Sequence, residues 1–518
     1  MYTGNLPTQQ THIDVQQLRA ALLQAENQSI EAIRQVHPRN RDSARNLIHY
    51  MALRSVDLRH LQEQLSELSI SSFAHAEGYI LHNLLGIEKL LAALDEGPSP
   101  QEELIIQTPF TYRTSKRKLQ ENAVQLFGHD GKSQKRSWIM VTMPQEAAED
   151  PSLTELLLKN GMTIARINTS HDSPQVWAKM IQHIRTAEQK TGKLCKIYFD
   201  LAGPKLRTVF EKTHILKKKR RGKKESVRLF KGDLLWLGKD RSNLPFTKET
   251  APEELIAMIG ITLPEVLQNV QQGARIYFDD GKIGGVVSTK DEFGIFVEIT
   301  QAAVKGTRLR PQKGINFPDT QLKVPSLTEN DFTYLPFIAE HGDIVGYSFV
   351  RTVADVHQLQ SELERLKRSD MGIVLKIENK EAFDNLPALL LAAMRSSKAG
   401  VMIARGDLAV ELGYERIAEV QEEILWICEA AHLPNIWATQ VLESLAKKGL
   451  ATRSEITDAA MAVRAECVML NKGTYILDAL RMLVNILERM EHHVDKKRGS
   501  FRPLGVAKRF LENHSRVQ

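Results

Sequence analysis

Cysteine is scarce in this chain. Three residues, Cys195, Cys428 and Cys467, are scattered over 518 positions. That is too few and too dispersed for a disulfide scaffold or a zinc site. Cys195 and Cys467 lie in apolar runs, where a buried reduced thiol is expected. Long apolar runs are also missing, and none approaches the roughly 18 residues that span a bilayer. Residues 1–14 are polar, lack the basic-then-apolar order of a signal peptide and are not rich in arginine. These absences predict a cytoplasmic protein with no membrane partner.

What is present is ordinary for a globular protein: 42% hydrophobic and 25% charged residues. The length suggests roughly two to four domains. The net charge of +6 is concentrated in residues 217–224, Lys-Lys-Lys-Arg-Arg-Gly-Lys-Lys. Such a run attracts polyanions. No aromatic residue interleaves it, so a solvated hairpin tip is expected and no nucleic-acid partner.

Residues 14–95 keep helical spacing at Leu18, Ala21, Leu22 and Ala25, and again at Leu58, Leu61, Leu65 and Leu68. The breaker cluster Gly97-Pro98-Ser99-Pro100 ends this stretch. Residues 100–136 are polar and basic and read as a linker. From Trp138 onward, short apolar runs alternate with helical patterns. They fall at 138–142, 163–167, 195–200, 344–349, 372–377, 400–404, 435–439 and 467–470. Continuous apolar runs suit parallel strands buried on both faces. Eight strand-then-helix units predict a closed (β/α)8 TIM barrel. A doubly wound open sheet is the alternative, but no Gly-x-Gly-x-x-Gly turn follows any of the runs.

The spacing breaks once. Within the gap, residues 209–316 carry alternating strands of their own at 226–230, 275–278, 283–288 and 294–299. The α/β organisation expected is therefore an N-terminal helical segment with linker (1–136), a barrel (137–208 and 317–491), an inserted β-rich lid (209–316) and a basic tail (492–518). One amphipathic helix, 476–491, closes the barrel. An insertion after a strand emerges at the C-terminal face, where barrel active sites are built.

Polar residues cluster at those strand ends. Lys376 and Glu378, at i and i+2 on a strand, point the same way. Asp407 ends the next strand. Two carboxylates with room for waters and substrate oxygens suit Mg²⁺ or Mn²⁺ better than zinc. Arg166 and Arg207 add guanidinium groups fit for phosphate or carboxylate. Gly406 leaves room for backbone amides to approach an anion. Lysine, arginines, a metal pair and amide donors form a constellation expected for phosphoryl transfer. The plainer reading is a set of ion pairs closing the barrel rim.

Several segments resemble the active-site segments of pyruvate kinases: ARINTSH (165–171), DLAGPKLRT (200–208), KIEN (376–379), ARGDL (404–408), ATQVLES (438–444) and TRSE (452–455). IYFDDGKIGG (276–285) and QKGINFPD (312–319) resemble the inserted B domain of that family. The likeness implies a (β/α)8 barrel with a lid and transfer of phosphate from phosphoenolpyruvate to ADP, giving pyruvate and ATP. It implies that Glu378 and Asp407 bind the divalent metal and that Lys376 stabilises the transferring phosphoryl group and the enolate. Arg166 and Arg207 would hold the phosphate, and Thr439, with the amides of Gly406 and Asp407, the substrate carboxylate. His171 and Lys313, with Asn168, would contact the nucleotide. Asn168, Ser170 and Asp200 match the family's monovalent-cation site. A homo-oligomer is also expected.

The sequence departs from the family in three places. Lys205 stands where K⁺-dependent members have Glu, so its tethered ammonium is expected to replace K⁺. Thr142-Met143-Pro144-Gln145, Leu201-Ala202 and residues 469–474 differ on the nucleotide and cation side. The chain stops soon after the barrel, so the family's C-terminal domain and its sugar-phosphate control are expected to be absent. Two other readings fit the sequence. One is a metal-dependent lyase or aldolase acting on pyruvate or phosphoenolpyruvate; the other is a non-catalytic barrel used for protein interaction.

Overall fold

The computed structural model describes residues 8–70, 73–96, 107–129, 137–215, 221–222, 226–238, 252–491, 493–495 and 498–499. Eight strands form the centre: β1 (Trp138–Thr142), β2 (Ile164–Asn168), β3 (Lys196–Asp200), β4 (Ile344–Tyr347), β5 (Gly372–Ile377), β6 (Ala399–Ala404), β7 (Asn435–Ala438) and β8 (Cys467–Leu470). Every pairing is parallel, and β1 pairs with both β2 and β8, through Met140 to Ile164 and to Met469. The barrel is therefore closed. All eight apolar runs are strands. Strands β1, β4, β5, β6, β7 and β8 are buried at every position. That burial is why they read as unbroken apolar runs rather than alternating ones. Helices follow the strands, several of them started by capping boxes such as Thr328 with Asp331 and Thr352 with Asp355. The last is Ile476–Met490.

The linker expected at 100–136 is corrected by the structure. A helix runs from Tyr112 to Phe127, opened by a Thr111–Thr114 capping box. Its last two turns plug the N-terminal mouth of the barrel. Ala123, Leu126 and Phe127 join the apolar interior formed by Trp138, Tyr198 and Met402. Leu126 fills space left by two glycines: a Cβ on Gly372 or Gly400 would lie 2.5 or 2.6 Å from its methyl carbons. The apolar residues that enter the barrel fall only at the helix end, after a run rich in Lys and Arg, so the helical period is masked. The capping threonines were the available signal.

The N-terminal helices Thr8–Gln28, Arg41–Arg54 and Ile80–Glu96 share one apolar core with the barrel helices. Side-chain hydrogen bonds also cross the seam. Asn46 donates to Ala430 O at 2.8 Å, and Asn122 donates to His432 O at 2.7 Å. The buried His432 ring bonds Ser43 Oγ through Nδ1 at 3.0 Å and Gly78 O through Nε2 at 2.9 Å.

Between β3 and β4 lies a seven-stranded sheet. Its order is Ile315–Asn316, Arg275–Phe278, Ile283–Lys290, Gly294–Gln301, Leu234–Gly238, Leu255–Ile261, Thr208–Ile215. A smaller sheet joins Ser226–Leu229 to Thr307–Leu309 and Arg221–Gly222. The expected strands are present. Leu234–Gly238 and Leu255–Ile261 are additional, and their unbroken apolar sequences lack the alternation that marked the others. The basic run 217–224 lies outside the described residues except for 221–222, as does the tail 492–518 except for a short hairpin (Val494–Asp495 with Arg498–Gly499). All three cysteines are buried, and none forms a disulfide. No helix among the described residues is long and apolar enough to cross a membrane.

Candidate active site

The C-terminal ends of β2, β3, β5 and β6 bring the expected charges together. Arg166, on β2, donates Nε to Asp200 Oδ2 at 2.8 Å, and its terminal nitrogens bond Asp200 and Thr142 Oγ1. Asp200 ends β3 and is fully enclosed. Its Oδ1 has no hydrogen-bond donor among the described residues. Lys376 Nζ, 3.2 Å away, faces that oxygen as an ion pair. Burial alone would push the Asp200 carboxyl up, but Arg166 and Lys376 outweigh it and hold it below its ordinary value.

Lys376 sits at the centre. Its ammonium donates to Ser348 Oγ at 2.6 Å and lies 3.5 Å from Glu378 Oε2. Ser348 in turn donates to Leu201 O at 2.6 Å. Glu378 Oε1 accepts the Phe349 amide at 2.6 Å, and Phe349 holds a left-handed backbone (φ 55°) to present it. Burial pushes the Glu378 carboxyl up; Lys376 opposes this, and the negative charge of Asp407 adds to it. Ser348 and Phe349 were missed in the sequence because they close what read as one apolar run.

Asp407 lies in the first turn of the helix Arg405–Leu412 after β6. Lys205, on the loop after β3, bonds both its oxygens, at 3.0 and 3.2 Å. Burial would lower the lysine, but Asp407 outweighs it, so the ammonium is held charged. Among the described residues no group of three or more His, Cys, Asp or Glu gathers to hold a metal. Glu378 and Asp407 are a pair of carboxylates, and the charge of Asp407 reaches Glu378. They fit a hard cation that takes one or two protein oxygens and keeps waters.

Thr439 follows β7 in a left-handed conformation (φ 67°), as does Gln440 (φ 60°). Arg405 holds this turn through Ala438 O at 3.0 Å and Thr439 O at 2.6 Å, with its guanidinium over the Trp437 ring. Thr439 Oγ1 accepts the Gly406 amide at 2.9 Å. A Cβ on Gly406 would meet protein no closer than 3.7 Å, so the glycine is not forced by packing and its open side faces the site.

The remaining expected residues sit at the edge. Asn168 Oδ1 accepts the Ser170 amide at 3.0 Å. His171 is exposed at the rim, and partial desolvation of its ring, together with nearby Lys472, lowers its pKa. Arg207 bridges to Gly314 of the inserted sheet and donates to Gln312 O at 3.2 Å. Lys313 is ion-paired to Asp279 at 2.8 Å within the insert.

Comparison with known proteins agrees with this geometry. Residues 134–479 match the family model "Pyruvate kinase, barrel domain". The chain is 32% identical over 373 residues to a pyruvate kinase of Bacillus licheniformis, covering 70% of this chain and 58% of the relative. It is 32% identical over 354 residues to one of Thermococcus litoralis, covering 67% and 68%. Pyruvate kinase PKLR of Homo sapiens is 33% identical over 339 residues, covering 63% and 55%. The chain thus spans little more than half the length of two of these relatives. The matched segment contains all eight strands of the barrel and every side chain of its charged rim, and on that ground the chain belongs to the pyruvate kinase family.

Proposed function

We propose that this chain is a phosphotransferase that moves the phosphoryl group of phosphoenolpyruvate to ADP. The P–O bond to the enol oxygen breaks, a bond to the terminal ADP oxygen forms, and the methylene carbon takes up a proton to give pyruvate. The observation that carries this reading is the Lys376 ammonium, held among Ser348, Asp200 and Glu378. A buried, pre-aimed cation stabilises charge that develops during transfer and needs no reorganisation to do so. Arg166 and Arg207 would bind the phosphate oxygens. The Thr439 turn and the first amides of the helix Arg405–Leu412 would receive the substrate carboxylate, with Thr439 near the methylene carbon. His171, Asn168 and Lys313 would bind the nucleotide.

Glu378 and Asp407 would hold Mg²⁺ or Mn²⁺, whose charge would offset that of the phosphoryl oxygens. Lys205 would supply the positive charge that K⁺ supplies elsewhere in the family. The test is a coupled assay of pyruvate release with Mg²⁺, phosphoenolpyruvate and ADP, with Lys376→Met and Asp407→Ala in parallel. Turnover in the wild type that is lost in both variants is expected. No turnover in the wild type, or none lost in the variants, overturns the reading.

A further inference from the structure

The inserted sheet meets the barrel at a strained turn. Asp279, Asp280 and Gly281 are consecutive left-handed residues, with φ of 50°, 55° and 79°. Two aspartates in this conformation are costly, and such strain persists only where neighbours hold it. The neighbours come from both sides. From within the insert, Gln301 Nε2 donates to Gly281 O at 3.1 Å, and the Asp279 amide donates to Gly314 O at 3.0 Å. From the barrel, Tyr414 Oη donates to Asp280 O at 2.9 Å. Gly281 leaves the space that this hydroxyl occupies: a Cβ there would lie 2.7 Å from Tyr414 Oη and 3.4 Å from Val410 Cγ2.

What the turn carries is Asp279. Its buried carboxylate pairs with Lys313 at 2.8 Å and with Lys282 at 3.1 Å. Tyr414, for its part, lies just beyond the helix that bears Asp407, turned out by Gly413 at φ 99°. The same helix grips the insert a second time, where Asn316 Nδ2 donates to Glu411 Oε1 at 2.9 Å. One helix therefore holds a carboxylate of the candidate metal pair at its start and the insert at its end.

We infer that Tyr414 is a positioning residue: the barrel's catch on the turn 279–281, which sets Asp279 and through it the place of Lys313 over the site. The inference rests on the proposed reaction only for what Lys313 would touch, the phosphates of the nucleotide. The contact itself stands on geometry. Tyr414 is 57% exposed, so truncating it leaves the core intact.

The test uses the full chain with Tyr414→Phe, which keeps the ring, and Tyr414→Ala. Amide exchange at 279–283 and 312–316, measured without ligands, should quicken roughly threefold or more in both variants. In turnover, the KM for ADP should rise roughly fivefold in Tyr414→Phe while the KM for phosphoenolpyruvate and kcat stay within about twofold. Gly281→Ala should slow ADP use by less in the Tyr414→Ala background than in the wild type, because the clash with the hydroxyl is gone. Unchanged exchange in Tyr414→Ala overturns the catch. Faster exchange with both KM values rising together overturns the role in placing Lys313. If the wild type shows no turnover, the proposed reaction falls, and exchange at 279–283 and 312–316 still decides whether Tyr414 holds the turn and Lys313.

Discussion

Lys205 lays its ammonium across the Asp407 carboxylate, 3.0 Å from Oδ1 and 3.2 Å from Oδ2. The loop after β3 thereby places a fixed positive charge on one of the two carboxylates proposed to bind the divalent metal. Its contacts run to Asp407 rather than to Asn168, Ser170 and Asp200, the positions matched to the monovalent cation.

Turnover should therefore be independent of K⁺, changing by less than about twofold between potassium-free and saturating buffers, because a tethered cation is present at all times. Lys205→Met should lower turnover by roughly tenfold or more in potassium-free buffer. The same variant should bind Mn²⁺ more tightly by calorimetry, since a competing cation has left Asp407. A large K⁺ requirement in the wild type contradicts this account of Lys205.

Ser348 is expected to matter through Lys376. Its hydroxyl accepts from the ammonium and donates to Leu201 O, both at 2.6 Å, in a buried setting. A hydrogen bond to a charged group is worth about 1.5–3 kcal/mol, so Ser348→Ala should lower kcat by roughly tenfold to a hundredfold. An unchanged kcat would mean that the hydroxyl does not hold the lysine.

His432 makes the seam between the N-terminal helices and the barrel sensitive to acid. Burial lowers its pKa to about 3, well below the ordinary value of 6.5. The unfolded chain then binds the proton more readily than the native one. Stability from this group is full above pH 6.5 and declines as pH falls from 6.5 toward 3. At pH 5 the loss is about 2 kcal/mol. Urea midpoints at pH 7.5 and 5 should show it, and His432→Asn should flatten the difference.

The plug helix can be tested by a pair of substitutions. Leu126→Ala should cost about 2–5 kcal/mol, as for other buried leucines. Gly372→Ala drives a methyl toward Leu126 Cδ1, 2.5 Å away, and should cost about 1–3 kcal/mol by overpacking. Its next neighbour is 3.5 Å off, so in the Leu126→Ala background Gly372→Ala should be close to neutral. Additive costs would show that the glycine is there for another reason.

The barrel was legible in the sequence for a plain reason. Strands covered on both faces must be apolar at every position, and the helices between them keep a 3.6-residue period, so the alternation is written along the chain. Arg166, Asp200, Lys376 and Glu378 stood out in the sequence because a charge at the end of a buried strand lies at the barrel rim. The helix Tyr112–Phe127 was hidden, since three apolar residues at the end of a basic stretch gain meaning only from the barrel floor they enter. Ser348 and Arg405 were hidden because their partners stand 28 and 33 residues away or more.

The sequence by itself therefore determined the repeating β/α units, the insert after β3 and the chemical types at the rim, because each follows from local periodicity or from position after a strand. Only the tertiary structure decided which charges pair: Arg166 and Lys376 with Asp200, Lys205 with Asp407, Asp279 with Lys313, Tyr414 with the turn 279–281. Closing the barrel brings distant strand ends within hydrogen-bond range, and pairing at that range depends on ångström-scale geometry that no one-dimensional spacing carries.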